Sequence, residues 1–181
     1  MYVTQVPLYI QSNPKLMDIV GLVTEGFKGI NCKDGVPYLY HCLSVANFAE
    51  NLLNQSFISQ NFGISIDPKI LWIVALCHDV VEDLPEEYHV QLKAKLFEAF
   101  GTDFYFDCIQ QYLTYDKQTT TRKEYIENIA NGPTLVKLCK SADLIHNTLI
   151  SRTKGNSFKS NIARITKYMD EFNRVNNIDT V

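Results

Sequence analysis

The chain has 181 residues, 46% of them hydrophobic and 20% charged, with a formal net charge of −3. This composition is that of a soluble globular protein with enough apolar material for one sizeable core, so a single domain spanning residues 1–181 is expected. The longest apolar run, Ile70 to Cys77, is far too short to cross a bilayer, and the opening MYVTQVPLYI lacks the basic stretch of a secretory signal.

Helix signals dominate from one end to the other. Asn13-Pro14 forms a cap and first-turn pair that opens a helix to about Phe27. A loop with an Asp34-Gly35 turn covers 29–37, and apolar spacing from Leu39 to Leu52 predicts a helix over about 38–53. Residues 54–66 read as polar and irregular. Asp67-Pro68 caps the next helix, which the pattern carries without a break to Leu84, where Pro85 stops it. Further helices are expected over about 85–100, ended by Gly101, and over 103–113. A polar loop from Tyr115 to Thr121 precedes helices over about 122–130, 133–151 and 157–175. The fold class is therefore all-α, a bundle of about seven or eight helices.

The segment LWIVALCHDVVEDL, residues 71–84, concentrates the polar chemistry. Its apolar half is a buried helix, and His78, Asp79, Glu82 and Asp83 follow directly. A buried charge has to be paired, protonated or bound to a metal. His41 and Asp143 likewise sit in apolar helical segments, with Asn147 one turn after Asp143. Two imidazoles and two carboxylates from three helices suit manganese, iron or another divalent cation better than a thiolate zinc site. Glu82 and Asp83 stand where a general base or acid for a water or leaving group is needed. The alternatives are an amphipathic helix that turns acidic at the surface, a core His41, and an Asp143 paired with Lys140 or Arg152. Cys77 and Cys139 read as small buried hydrophobes, and His146 as structural.

The net charge hides an asymmetry. Residues 1–116 carry 6 Lys/Arg and 14 Asp/Glu, and residues 117–167 carry 10 and 3. The acidic bulk speaks against long nucleic acid. The basic part can serve a small anionic substrate, with Lys140 and Arg152 the leading cations and Tyr125 and Arg122 further contacts for a base or phosphate. Five scattered cysteines without a CxxC pair read as free thiols, which points to a reducing, cytoplasmic setting.

In the order His41, His78-Asp79, Asp143, the chain resembles the HD superfamily of metal-dependent phosphohydrolases. GVPYLYHCLSVA, ALCHDVVEDL, FGTDFYFDCIQQYLTYDK and VKLCKSADLIHN are similar to successive segments of the RelA/SpoT-type hydrolase domain. The resemblance covers about residues 25–155. It implies a helical bundle around one Mn2+, or a related ion such as Fe2+, Co2+ or Mg2+, held by His41, His78, Asp79 and Asp143. It further implies that Glu82 and Asp83 handle the attacking water and that Asn147 and Lys33 meet the substrate. The implied reaction removes pyrophosphate from the 3′ position of (p)ppGpp. Three positions depart from that family: Cys32 replaces one of two basic residues, Cys42 a proline and Leu144 an arginine. They leave room for a phosphohydrolase acting on a nucleoside monophosphate or cyclic nucleotide, or for a non-catalytic nucleotide-binding regulator. The length matches a small stand-alone hydrolase without synthetase or regulatory domains.

Overall fold

The computed structural model describes residues 5–33, 35–54, 66–149 and 157–178. Its helices are α1 (Leu8–Gln11), α2 (Pro14–Gly26), α3 (Tyr38–Asn54), α4 (Pro68–Leu76), α5 (Val80–Asp83), α6 (Glu86–Phe100), α7 (Phe104–Cys108), α8 (Arg122–Ala130), α9 (Thr134–Thr148) and α10 (Phe158–Val175). A π-helical turn, Ile109–Leu113, prolongs α7. Among the described residues no strand forms, and Asn31 and Pro37 make only an isolated bridge. The fold is all-α. The expected irregular stretch at 54–66 lies mostly outside the described residues.

Local chemistry accounts for the helix ends. The Asn13 side chain accepts from the amides of Lys15 and Leu16, and Asp67 accepts from Lys69; in both cases proline follows at the first helical position. Thr121 and Glu124 form a reciprocal capping box at α8. Gly101 ends α6 with φ 74°, a left-handed conformation that suits glycine.

Helix α4 is the centre of the bundle. Leu71 through Leu76 are all fully buried, as expected of a helix apolar on every side. It packs against α2, α3 and α9, while α9 also packs on α3 and α10. Trp72 reaches from it to donate through Nε1 to Asn47 Oδ1 at 3.0 Å. On the far side α2 lies tight against the residues that follow α5. A Cβ at Gly26 would strike Leu84 Cδ1 and come within 3.0 Å of the Tyr88 ring.

One expectation is corrected. The apolar pattern carries a single helix to Leu84, but α4 stops at Leu76 and α5 begins at Val80. Between them Cys77 and Asp79 take φ, ψ of −90°, 1° and −99°, 0°. The Cys77 amide is shared by the carbonyls of Ile73 and Val74, at 3.1 and 3.2 Å, and the Val80 amide reaches only to the Cys77 carbonyl at 3.0 Å. These are tightened turns. In an unbroken helix successive side chains point about 100° apart. The break lets the adjacent His78 and Asp79 converge instead.

Candidate metal centre

Three helical segments deliver four donors to one place. His41 comes from the first turn of α3, His78 and Asp79 from the turn between α4 and α5, and Asp143 from α9. His41, His78 and Asp143 are 4%, 2% and 5% exposed. His41 Nε2 lies 3.3 Å from Asp79 Oδ2 and 3.5 Å from Asp143 Oδ1. His78 Nε2 lies 2.9 and 3.9 Å from the same two oxygens. Metal bonds of about 2.1 Å at right angles place neighbouring donors about 3 Å apart, so the spacing is that of a coordination sphere. Among the described residues the donors that all lie within 4.8 Å of one another are those of His41, His78 and Asp79; Asp143 is not part of that set and meets it through the two imidazoles.

The donor chemistry also fits a cation. His78 Nδ1 lies 2.8 Å from the Ala75 carbonyl, which can only accept, so this nitrogen carries the proton. The Nε2 of a neutral ring then presents a lone pair. That atom is buried without a hydrogen-bond partner, and it faces a carboxylate oxygen. Two acceptors at 2.9 Å need positive charge between them. Burial disfavours charging His78, yet the carboxylates of Asp79 and Asp143 outweigh it and push its pKa up to about 9. Burial dominates at His41 and lowers its pKa. The neighbouring imidazoles hold Asp79 well below the usual carboxylate range against the cost of its burial. Lys140 and the imidazoles hold Asp143 at about 2 against the same cost. A proton on one ring answers only one of these contacts. A divalent cation answers all four, and mixed imidazole and carboxylate donors suit it.

Around the donors runs a second ring of contacts. The Tyr38 hydroxyl donates to Asp79 Oδ2 at 2.6 Å, and its ring stacks on Phe27 with centroids 4.9 Å apart. Lys140 Nζ donates to Asp143 Oδ2 at 2.7 Å, and Asn147 Nδ2 donates to Asp143 Oδ1 at 2.6 Å. His146 Nδ1 stands 2.8 Å from His41 Nδ1.

These contacts revise part of the sequence reading. Lys140 was expected on the substrate; it is 7% exposed and directed at Asp143, the pairing that stood as its alternative. Asn147 also turns to Asp143. Lys33 is exposed on the loop closed by the Cys32 amide on the Val36 carbonyl. Arg152 lies outside the described residues. Arg122 spends Nε and Nη2 on Glu171, at 3.0 and 2.7 Å, and packs over the rings of Tyr115 and Tyr125. Tyr125 is 3% exposed, with its hydroxyl on the Leu113 carbonyl, so it offers no face to a ligand. Sequence reasoning missed Tyr38 and set His146 aside. The signal for His146 was its place three residues after Asp143, on the same helix face.

The buried Lys140–Asp143 pair carries a stability prediction. Lys140→Met removes the cation and leaves a buried carboxylate. The metal-free protein is expected to lose about 3–5 kcal/mol, read by urea denaturation. A Lys140 that served only substrate would leave the midpoint unmoved.

Glu82 and Asp83 rise from α5 at the more open edge of the group. Glu82 Oε2 accepts the Tyr115 amide at 3.1 Å, and Lys117 Nζ approaches Oε1 to 3.9 Å. Its side chain keeps 27% exposure. Partial burial raises the Glu82 pKa; the Tyr115 amide opposes the shift, and the charges of Asp79 and Asp83 add to it. Asp83 is raised by burial first and by Asp79 second. Two carboxylates readier than usual to hold a proton thus stand beside two that stay ionised.

A profile of the HD domain matches residues 38–174. No curated protein matches the chain. Among solved structures, the chain is similar to one described as a metazoan ortholog of SpoT that hydrolyses ppGpp and plays a role in starvation responses. The two are 19% identical with a TM-score of 0.63, over 97% of this chain and 90% of the other. That likeness is one of fold.

Proposed function

This chain belongs to the HD domain family, and from that premise we propose that it is a metal-dependent phosphohydrolase removing pyrophosphate from the 3′ position of (p)ppGpp to leave GDP or GTP. The observation that carries the reading is the meeting of two imidazole nitrogens and two carboxylate oxygens beside a second, proton-accepting carboxylate pair. In this reading His41, His78, Asp79 and Asp143 hold the cation, Mn2+ by resemblance to the hydrolase domain.

A divalent cation bound there supplies Lewis acidity to a phosphoryl oxygen and acidifies a water beside it. Glu82 and Asp83 take the proton of the attacking water as it adds to the 3′-linked phosphorus; the bond from that phosphorus to the ribose 3′ oxygen breaks, and the proton taken up is returned to that oxygen as pyrophosphate leaves. Tyr38, Lys140 and Asn147 act one step back, fixing the carboxylates of Asp79 and Asp143. Lys33, with Arg152 as a second cation, takes the anionic end of the nucleotide. Residues 1–181 work as one hydrolase domain, and the buried thiols of Cys42, Cys77, Cys108 and Cys139 suit the cytoplasm.

A second reading keeps the reaction and changes the nucleotide. Cys32 stands where the hydrolase domain has a basic residue, and Leu144, where it has an arginine, is fully buried. Both remove cations from substrate recognition. The deciding experiment is chromatography of products after incubating the Mn2+-loaded protein with ppGpp, nucleoside monophosphates and cyclic nucleotides in parallel. GDP plus pyrophosphate supports the first reading. Turnover of another nucleotide with none of ppGpp replaces it with the second, and no turnover of any rejects both.

A further inference from the structure

His146 is a buried titratable group beside the site that the proposed chemistry does not use. It is 6% exposed, and its Nδ1 lies 2.8 Å from the Nδ1 of His41. The rings stand 4.8 Å apart at 44°, which rules out simple face stacking. Two nitrogens at that separation share one hydrogen, so one ring donates and the other accepts.

The direction of that bond decides what His41 can do. His41 Nε2 faces Asp79 Oδ2 and Asp143 Oδ1. If His146 donates, the neutral His41 ring carries its own proton on Nε2, aimed at the carboxylates, and has no lone pair there. If His41 donates from Nδ1, its Nε2 is an open donor, and His146 carries its proton on Nε2. We propose that His146 is a positioning residue that accepts the Nδ1–H of His41 and so holds His41 in its metal-binding tautomer. The inference rests on the metal site proposed above and adds a residue to its supporting shell. It gives His41 the fixed ring that the Ala75 carbonyl gives His78. The two imidazoles are thus set by different means, one by a backbone carbonyl and one by a second imidazole.

The test is Mn2+ affinity, read from the EPR signal of free Mn2+, in wild type, His146→Leu and His146→Asn. Leucine keeps the volume and deletes the acceptor. Asparagine returns an oxygen near the position of Nδ1. Affinity is expected to fall about 10–100-fold in His146→Leu and to recover most of that loss in His146→Asn. Histidine 15N–1H correlation spectra of the Zn2+-loaded wild type supply a second readout that needs no variant. They are expected to show His146 protonated on Nε2 and His41 on Nδ1. Wild-type affinity in His146→Leu, or a His146 protonated on Nδ1 in the loaded protein, overturns the inference while leaving the metal site intact. Failure of the wild type itself to bind Mn2+ or Zn2+ overturns the site reading instead.

Discussion

Asp79→Ala is expected to abolish metal binding and bring hydrolysis to background. Among the described residues, Asp79 Oδ2 is the carboxylate oxygen within 3.3 Å of both imidazole nitrogens, and it also accepts from Tyr38. Its removal leaves two nitrogen donors and a single carboxylate, Asp143, that is already engaged by Lys140 and Asn147. Loss of affinity should therefore exceed the about 10–100-fold that a supporting residue costs. The metal-free variant should also lose about 1–3 kcal/mol, because the half-buried Tyr38 hydroxyl is left without its acceptor. Asp79→Asn separates the two effects. Its amide oxygen can still accept from Tyr38, so stability is largely kept, yet the anionic donor is gone. Calorimetric titration with Mn2+, together with urea midpoints of both metal-free variants, checks the pair. Mn2+ binding at wild-type strength in either variant would remove Asp79 from the coordination set.

The same residue shows how far a sequence can be read. Helix starts at Pro14 and Pro68 and the stop at Gly101 were legible, because capping side chains, proline and left-handed glycine act within a few residues of themselves. The all-α class followed from these local signals together with apolar periodicity. The break at Cys77–Asp79 was not legible, since no proline or glycine marks it. It is made by turn hydrogen bonds and by His78 turning back to the Ala75 carbonyl, in a run whose apolar pattern continues straight through. The reading that carried one helix from Asp67-Pro68 to Leu84 therefore described a helix that stops at Leu76.

Side-chain direction was the second loss. Lys140 and Asn147 were visible as polar groups one turn either side of Asp143, and that spacing permits contact within the helix as readily as contact with a ligand. Burial decides between these, and burial of Lys140 depends on how α9 meets α3, α4 and α8. His146 illustrates the converse. Its partner, His41, lies 105 residues earlier, so no local pattern could have shown the contact.

Glu82→Gln is expected to separate catalysis from metal binding. Glutamine keeps the size of the side chain and an oxygen to accept the Tyr115 amide, which now meets Glu82 Oε2 at 3.1 Å. The loop after the π-helical turn should stay in place. What is lost is the ability to take a proton, so kcat should fall about 10²–10⁴-fold with Mn2+ affinity little changed. The pH profile of the wild type carries the same assignment. Burial and the neighbouring Asp79 and Asp83 raise the Glu82 pKa, and Asp83 is raised in the same way. A base works only when deprotonated. Activity should therefore be full above the raised value and fall as the pH drops through it, with the acid limb above the ordinary glutamate value of about 4.3. Asp83 alone can supply a weaker acid limb to the residual activity of Glu82→Gln. Steady-state kinetics across pH on the Mn2+-loaded proteins checks this. A Glu82→Gln enzyme with wild-type kcat and an unshifted acid limb would move the base to Asp83, whose Asp83→Asn variant would then show the loss instead.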